Sequence, residues 1–177
     1  MTDDDIALAQ RLADAAGDAI RPFFRNAFDT ERKADASPVT QADRAAEAAM
    51  RAILNAERPQ DGIVGEEFGR EREDAARVWV LDPIDGTRSF VAGRAIFGTL
   101  VALLEEGRPV LGVIDQPIQR ERWLGASGRP TTLNGAAVRS RPCAALDSAH
   151  LATTGPGYFR ERDYAAFLRL SAAAGDT

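Results

Sequence analysis

The chain has 177 residues, a formal net charge of −5 and a pI of about 5.0. An acidic surface repels the phosphates of nucleic acids and of anionic membranes, so we expect neither as a partner. Hydrophobic residues make up 45% of the chain and charged residues 28%, which is typical of a globular protein with a buried core. The length fits one domain or slightly more.

The chain has no long apolar run, one cysteine and one histidine, which argues against a membrane-spanning, a disulfide-rich or a histidine-rich metal protein. No apolar run approaches the roughly 18 residues needed to span a bilayer, and the amino terminus, MTDDDIALAQ, is acidic where a secretory signal is basic. With one cysteine, Cys143, there is no internal disulfide, and a reducing cytoplasm is the expected compartment. With one histidine, His150, a histidine-rich metal site is not expected. Carboxylates must therefore carry most of any chemistry.

A first helix is predicted close to the amino terminus. Apolar residues recur at helical spacing from Ile6 to Ile20, until Pro22 ends or kinks the helix. The next segment, KADASPVTQAD, is predicted to be a loop, because Pro38 disfavours the helical region for the residue before it.

A second helix is predicted to begin at Thr40. Asp43 occupies its third helical position, which is close to a capping box. The polar segment ERPQDG ends this helix. Its apolar face is expected to be formed by Ala46, Met50, Ile53 and Leu54.

The pattern then changes to that of strands. GIVGEEFG is a short apolar run that meets two acids, and RVWVLDP is a strand that Pro83 is expected to terminate. A β-hairpin that turns at EEGRP is predicted for AIFGTLVALLEEGRPVLGVIDQPI. Two more segments, RERWLGASG and PTTLNGAAV, add strands, with a tight turn at Asn134-Gly135.

The last part of the chain predicts one strand, SAHLATTGP, and one helix, GYFRERDYAAFLRLSAAA. The apolar side of that helix would carry Tyr158, Tyr164, Phe167 and Leu168. Helices, then mostly antiparallel strands, then a strand–helix unit indicate an α+β fold passing into α/β. The predicted domains are an N-terminal α+β metal-binding domain at residues 1–140 and the start of an incomplete C-terminal α/β domain at residues 141–177.

The segment VWVLDPIDGTRSF is the main candidate for a metal-binding site. Asp82 is predicted to lie at the end of a strand, and Asp85-Gly86 turns the chain, so both carboxylates and the Ile84 carbonyl can converge. Hard oxygen ligands of this kind suit Mg²⁺ and leave positions for water and a phosphate, and the ion offsets carboxylate repulsion. If GTRSF opens a helix, the N–H groups of Gly86 and Thr87 can point at an anion. Taken alone, Asp-Pro and Asp-Gly are also ordinary turn dipeptides.

The segment GEEFG supplies further acids. Glu66 and Glu67 follow an apolar strand, and acids at the ends of adjacent strands would place Glu66 near Asp82. The alternative is that both glutamates are solvated in a loop.

Taken together and in this order, SPVTQAD, GEEFG and WVLDPIDGTRSF resemble the inositol monophosphatase-like family of Mg²⁺-dependent, lithium-sensitive phosphatases. The resemblance runs across essentially the whole chain. Within the family, GRAIFGTLVALLEEGRPVLGVIDQPI and ERWLGASG are most similar to the bacterial histidinol-phosphatase branch. The resemblance implies a phosphoric monoester hydrolase with a layered αβαβα sugar-phosphatase-like fold.

The resemblance also implies roles for the acids. Glu66, Asp82 and the Ile84 carbonyl would hold one Mg²⁺ and lower the pKa of a bound water, which Thr87 and Glu66 position for attack on phosphorus. Asp82 and Asp85 would share a second Mg²⁺ that stabilises the leaving oxygen.

Further roles follow from the same resemblance. The amides of Gly86 and Thr87 would hold the phosphate, Arg88 would contact the substrate, and Asp43 would reach the site through water and a third, weaker ion. Arg88 can equally be a solvated surface residue. Thr40 and Asp43 can be helix-capping residues, and this role is compatible with a place in the site.

One part of the family pattern is not matched. Family members carry a later segment with a further metal-binding aspartate, in a Trp/Tyr-Asp context, and with residues that select the alcohol. Asp176 in AAGDT lacks that context. We therefore expect a truncated or partial chain, which can be inactive, with the C-terminal part of the second layer missing and an unpaired sheet edge. A naturally minimal form completed by a partner chain is the alternative.

The leading hypothesis is phosphomonoester hydrolysis by metal-activated water, with L-histidinol phosphate, a metabolite of histidine biosynthesis, as the favoured substrate. The alternatives are an inositol-1-phosphate phosphatase, a non-catalytic truncated metal-binding remnant, and a purely structural acidic domain. The expected partners are a small phosphorylated metabolite, two or three Mg²⁺ ions and a second copy of the chain, since family members are commonly homodimers.

Overall fold

The computed structural model of the chain describes residues 1–26, 30–32, 38–153, 155, 157 and 159–175. Two compact units are present, Met1–Val138 and Arg139–Thr177, and each is described by itself. The predicted assignment of residues 1–140 and 141–177 to separate domains stays a prediction. Among the described residues, no helix is both long and apolar enough to cross a membrane.

Both helices predicted for the first third of the chain are confirmed. Helix α1 is Asp3–Ile20, followed by a 3₁₀ turn at Arg21–Phe23, and helix α2 is Gln41–Glu57. Thr40 caps α2, because its hydroxyl accepts a hydrogen bond from the Asp43 N–H while the Asp43 carboxylate accepts one from the Thr40 N–H. The capping box predicted from the sequence is therefore present, and an equivalent one precedes α1.

Among the described residues of the first unit, the remaining elements are ten strands and a short helix between the fifth and sixth of them, α3, at Thr87–Val91. The strands are β1 Thr30–Arg32, β2 Pro38–Thr40, β3 Gly62–Gly65, β4 Gly69–Glu71, β5 Arg77–Asp85, β6 Gly98–Glu105, β7 Arg108–Gln116, β8 Glu121–Ala126, β9 Thr132–Leu133 and β10 Ala136–Ala137.

The strands form a small and a large sheet. Strands β1 and β2 pair antiparallel, so the predicted loop is wrong at Pro38–Thr40, where a partner strand supplies hydrogen bonds that the local sequence does not reveal. Part of that predicted loop, residues 33–37, lies outside the described residues. The large sheet has eight strands in the order β10-β9-β8-β7-β6-β5-β3-β4. Within it, β3 and β5 are parallel and the other neighbouring pairs are antiparallel.

The predicted hairpin turn at EEGRP and the predicted tight turn at Asn134-Gly135 are confirmed. The β6–β7 hairpin turns at Glu106 and Gly107, with φ values of 49° and 73°. The β9–β10 hairpin turns at Asn134 and Gly135, with φ values of 49° and 84°. Positive φ at both central residues matches the twist of antiparallel strands, which explains why Asn-Gly and a glycine-containing turn are found there.

The core lies between one face of the large sheet and the two long helices. The residues predicted for the apolar face of α2 are buried or packed against this core. The fully buried members of the core include Leu8, Leu12, Ile20, Met50, Leu54, Ile63, Trp79, Leu81, Ile84 and Leu103. The opposite face of the sheet carries a cavity of about 640 Å³ with a mainly apolar lining, to which Asp82 also contributes.

The second unit contains a 3₁₀ turn, Leu146–Ser148, and helix α4, Glu161–Ala173. The predicted helix is confirmed, but no residue of it is buried, and of its predicted apolar side Tyr158 lies outside the described residues. The predicted strand SAHLATTGP is wrong at residues 148–153 and 155, where a single bridge at His150 is present. A strand needs a continuous partner, and here the Ala149 carbonyl accepts one hydrogen bond, from the N–H of Gly175.

Candidate metal centre

The parallel pairing of β3 and β5 brings two acids together. Gly65 is the register partner of Leu81, and the N–H of Glu66 donates to the Leu81 carbonyl at 3.3 Å. The residue after each of these two partners is an acid, so Glu66, just beyond the end of β3, lies beside Asp82, which is within β5. This neighbourhood is the one that we expected from the two sequence motifs.

Strand β5 continues through Pro83, so the prediction that this proline terminates the strand is wrong. Proline cannot donate a ladder hydrogen bond. Strand β3 ends at Gly65, opposite Leu81, so the neighbour that would need a donor at Pro83 is no longer there. The proline is tolerated at this position because one side of β5 has become an edge.

A β-bulge then orients the acids. Asp82 pairs with β6 and so does Asp85, but two residues of β5, Pro83 and Ile84, oppose one residue of β6, Thr99. The Thr99 hydroxyl donates to the Pro83 carbonyl at 2.8 Å and stabilises the bulge. The extra residue shifts the alternation of faces by one. Ile84 is therefore buried in the core. Asp82 and Asp85 pair with Leu100 and Gly98, which are two residues apart on β6, so both acids lie on the other face.

Asp82 is electrostatically unfavourable as an anion. Burial first, then the neighbouring Glu66, and then the charges of Asp85 and Asp43 raise its pKa from 3.8 to about 8. Within the described part of the chain, its buried Oδ1 atom has no hydrogen-bond partner. A buried oxygen without a donor, next to further carboxylates, is a position that a cation stabilises.

The turn after the bulge supplies the remaining predicted residues. Asp85 is exposed, and Gly86 has φ 91° and precedes the first residue of α3, Thr87, so GTRSF does open a helix. A side chain at Gly86 would be strained by this φ value. The Thr87 hydroxyl donates to the Ile84 carbonyl at 3.1 Å. Arg88 is exposed in the same turn.

Asp43 approaches this group from α2. It is buried, and its Oδ2 atom accepts the N–H of Thr40 at 3.0 Å and the Thr40 hydroxyl at 2.6 Å. It also contributes to the raised pKa of Asp82. Asp43, the capping-box partner of Thr40, is thus close enough to affect the charge of Asp82. A capping role and a place in the site are compatible for this residue, as expected from the sequence.

The residues present fit a divalent cation in their chemistry. Carboxylates and a backbone carbonyl are the oxygen ligands that Mg²⁺ prefers, and the orphaned Oδ1 of Asp82 lacks only a positive partner. In the described ranges, no group of three or more His, Cys, Asp or Glu side chains is already arranged to hold a metal ion.

Glu47 was not predicted from the sequence as part of this region. It lies on α2, is fully buried, and its carboxylate accepts the N–H groups of Glu67 and Phe68 at 2.7 Å and 3.2 Å. The available signal was its spacing, since Asp43, Glu47 and Arg51 recur every four residues on the helix. Charged residues that share a face with buried apolar ones need partners.

Comparison with solved structures supports the layered α+β fold. An inositol monophosphatase from Zymomonas mobilis is 58% identical, with a TM-score of 0.87 over 99% of this chain and 68% of the other. An inositol monophosphatase from Anabaena has a TM-score of 0.82 at 26% identity, over 98% of this chain and 65% of the other. The predicted sugar-phosphatase-like fold is therefore confirmed.

Two curated relatives agree with the structural similarity. The chain is 51% identical over 166 residues to the chloroplastic bifunctional phosphatase IMPL2 of Arabidopsis thaliana, covering 93% of this chain and 48% of that protein. It is 46% identical over 131 residues to a histidinol-phosphatase of Mycobacterium tuberculosis, covering 73% of this chain and 50% of that protein. The chain thus spans about half the length of these relatives. Residues 1–165 match the profile of the inositol monophosphatase family, and the chain belongs to that family.

Proposed function

We propose that the protein to which this chain belongs hydrolyses phosphate monoesters with the help of Mg²⁺, and that L-histidinol phosphate is its favoured substrate. The proposal rests on the environment of Asp82. Burial and Glu66 raise the pKa of this carboxyl to about 8. Its buried Oδ1 atom has no hydrogen-bond partner in the described ranges. Such a carboxylate is costly unless a cation is bound.

The residues would divide between two or three ions. Glu66, Asp82 and the Ile84 carbonyl would hold one, Asp82 and Asp85 a second, and Asp43 a third through water. When bound, Mg²⁺ supplies positive charge that lowers the pKa of water and stabilises charge on the leaving oxygen. Lithium inhibition is expected from the family resemblance.

The chain's own residues then bind and orient the reactants. Glu66 and Thr87 would position the attacking water, while the amides of Gly86 and Thr87 and the guanidinium of Arg88 would bind the phosphate. Water adds to phosphorus, the ester P–O bond breaks, and the alcohol leaves with a proton. The products are inorganic phosphate and the alcohol, and no phosphoenzyme is formed.

The choice of histidinol phosphate rests on sequence similarity. Relatives named histidinol-phosphatase are 46% identical in Mycobacterium tuberculosis and 40% identical in Chlorobaculum parvum. The flanking strands β6, β7 and β8 carry the segments that resemble this branch. The partner of the protein is accordingly a small phosphorylated metabolite, and both a homodimer and a cytoplasmic location stay predictions.

The test is a panel of phosphate-release assays. The whole protein and this chain are assayed side by side on histidinol phosphate, inositol 1-phosphate, fructose bisphosphate and adenosine 3′,5′-bisphosphate, with Mg²⁺ and with a chelator. We expect the highest kcat/KM for histidinol phosphate and no turnover in chelator. Equal turnover in chelator would contradict the metal mechanism.

Inositol 1-phosphate is the second candidate substrate. It is favoured by the 58% identity to the inositol monophosphatase of Zymomonas mobilis. A preference for inositol phosphate in the panel assigns the protein to that activity. A non-catalytic metal-binding remnant is distinguished by calorimetry, because it would bind Mg²⁺ while no member of the panel is hydrolysed.

A further inference from the structure

Glu47 is a fully buried carboxylate on α2 to which the proposed chemistry gives no role. Its Oε2 atom accepts the N–H of Glu67 at 2.7 Å, and its Oε1 atom accepts the N–H of Phe68 at 3.2 Å. These two amides directly follow Glu66 in the turn between β3 and β4. Side-chain acceptors are how backbone donors in such a turn are satisfied.

Arg51, one helical turn further along α2, completes this arrangement. Its Nε donates to Glu47 Oε1 at 2.7 Å, so the buried charge is paired. Its two terminal nitrogens donate to the carboxylate of Glu71 at 2.6 Å and to the carbonyl of Gly69 at 2.5 Å. One ion pair on α2 therefore binds both the turn after Glu66 and the start of the next strand.

Gly65, which has no side chain, leaves room for the contact of Glu47 with the turn. A Cβ atom at Gly65 would lie 1.8 Å from Oε1 of Glu47, so the Glu47 carboxylate would have to move away from this backbone. The glycine of the GEE motif thus lets the carboxylate approach the backbone just before Glu66.

The backbone of Glu66 is consequently held from two sides. Its own N–H donates to Leu81 on β5, and the N–H of the following residue donates to Glu47 on α2. The side chain of Glu66 acts on Asp82 from this position. A ligand that is held in this way needs no reordering of its backbone when a cation binds.

We propose that Glu47 is a positioning residue for Glu66, which fixes the place of this acid beside Asp82 and thereby raises the affinity of the site for Mg²⁺. The proposal rests on the proposed function, in which Glu66 is a metal ligand. Carboxylates that orient metal ligands typically change metal affinity about 10- to 100-fold when they are removed.

The experiment is a Mg²⁺ titration of this chain, followed by amide NMR, with Glu47→Gln as the variant. Glutamine keeps the size of the side chain but puts an NH₂ donor where an acceptor is needed, so the Glu67 and Phe68 amides cannot both be satisfied. We expect the dissociation constant for Mg²⁺ to rise about 10-fold or more. The amide signals of Glu67 and Phe68 should shift in the metal-free protein.

Asp5→Asn is the matched control. Asp5, in the first turn of α1, is also a buried carboxylate on a long helix, and it accepts a hydrogen bond from Arg77 at 2.5 Å, at the opposite end of β5 from the site. Its loss should destabilise the fold while Mg²⁺ binds with unchanged affinity. If Asp5→Asn weakens Mg²⁺ binding as much as Glu47→Gln does, the effect is one of general stability, and the inference is overturned.

A double-mutant cycle with Glu66→Gln tests whether Glu47 acts through Glu66. We expect Glu47→Gln to cause no further loss of Mg²⁺ affinity once Glu66 is replaced. Independent losses that add would contradict the inference. Should Glu47→Gln fail to fold, Glu47→Asp, which keeps the charge but withdraws it from the two amides, must also weaken binding. Unchanged affinity in that variant overturns the inference.

Failure of the proposed function has a different signature. If the wild-type chain and Glu66→Gln show the same lack of Mg²⁺-dependent shifts, the site is not a metal site and the proposed function fails. If the wild-type chain binds Mg²⁺, Glu66→Gln weakens binding and Glu47→Gln does not, only the positioning role is rejected.

Discussion

The hydroxyl of Thr87 donates a hydrogen bond of 3.1 Å to the carbonyl oxygen of Ile84, inside the turn that follows the β-bulge. A carbonyl oxygen has two lone pairs, so this bond leaves one of them for a cation. The same bond limits the directions that the carbonyl can take. A side chain proposed for catalysis and a backbone group proposed as a metal ligand therefore depend on each other.

Replacing Thr87 should lower turnover much more than stability. Thr87→Val keeps the shape of the side chain and removes its hydroxyl, so the Ile84 carbonyl loses its donor and the proposed water loses a partner. We expect kcat to fall on the order of 100-fold, with a change in unfolding free energy of about 1 kcal/mol. Phosphate release and urea unfolding measure the two effects. Thr87→Ser retains the hydroxyl and should retain most activity, and an equal loss in both variants would contradict this role.

Asp82→Asn should separate metal binding from folding. The amide replaces a carboxyl whose charged form burial and Glu66 make unfavourable, so the metal-free variant should be at least as stable as the wild type. Wild-type protein should gain about 2.7 kcal/mol in unfolding free energy at a Mg²⁺ concentration 100 times the dissociation constant. The variant should gain almost nothing. Thermal unfolding with and without Mg²⁺ measures both. A Mg²⁺-induced shift that is the same in both proteins would exclude Asp82 as a ligand.

Binding of Mg²⁺ should release a proton near neutral pH. In the metal-free protein the pKa of Asp82 is about 8, so at pH 7 this carboxyl is mostly protonated and must ionise to bind the ion. Calorimetry in buffers of different ionisation enthalpy counts the protons released. We expect close to one at pH 7 and almost none above pH 9. Asp82→Asn is the control. The same count at both values of pH would show that Asp82 does not lose a proton when the ion binds.

Metal-free stability should fall as the pH rises. The folded-state pKa of Asp82 is above its unfolded value of 3.8. Its contribution to stability is therefore fully present below pH 3.8 and is lost as the pH rises through about 8. Urea unfolding in chelator across this range, compared with Asp82→Asn, isolates the effect. A difference between the two proteins that does not change with pH would contradict the assignment.

The two capping boxes allow a matched comparison. Thr40→Ala removes a buried hydroxyl that donates to Asp43 at 2.6 Å, whereas Thr2→Ala removes an exposed one that donates to Asp5 at 3.0 Å. Each loss of a helix cap should cost about 1 kcal/mol in unfolding free energy. Only Thr40→Ala should also weaken Mg²⁺ binding, because it loosens Asp43. Equal Mg²⁺ affinity in both variants would confine Thr40 and Asp43 to capping.

Local signals in the sequence predicted the long helices, the capping residues of α2 and the turns. These features depend on residues that are close in the chain, such as Thr40 with Asp43 or Asn134 with Gly135. The neighbourhood of Glu66 and Asp82 was also predicted, because each acid directly follows an apolar run and the two runs were expected to be adjacent strands. The wrong predictions concern which segments pair as β-strands. Pro83 does not end β5, residues 148–153 form no strand, and residues 38–40 do.

By itself, the sequence determined where most helices and turns form and which acids are candidates for a metal site, because periodicity, capping and turn conformation are local properties of the chain. Only the tertiary structure decided that β3 pairs parallel to β5, that a bulge opposite Thr99 turns Asp82 and Asp85 to one face, and that Glu47 binds the turn after Glu66. Each of these depends on hydrogen bonds between segments that are distant in sequence. Which distant donor meets which acceptor is decided when the helices and the sheet bury their apolar faces together.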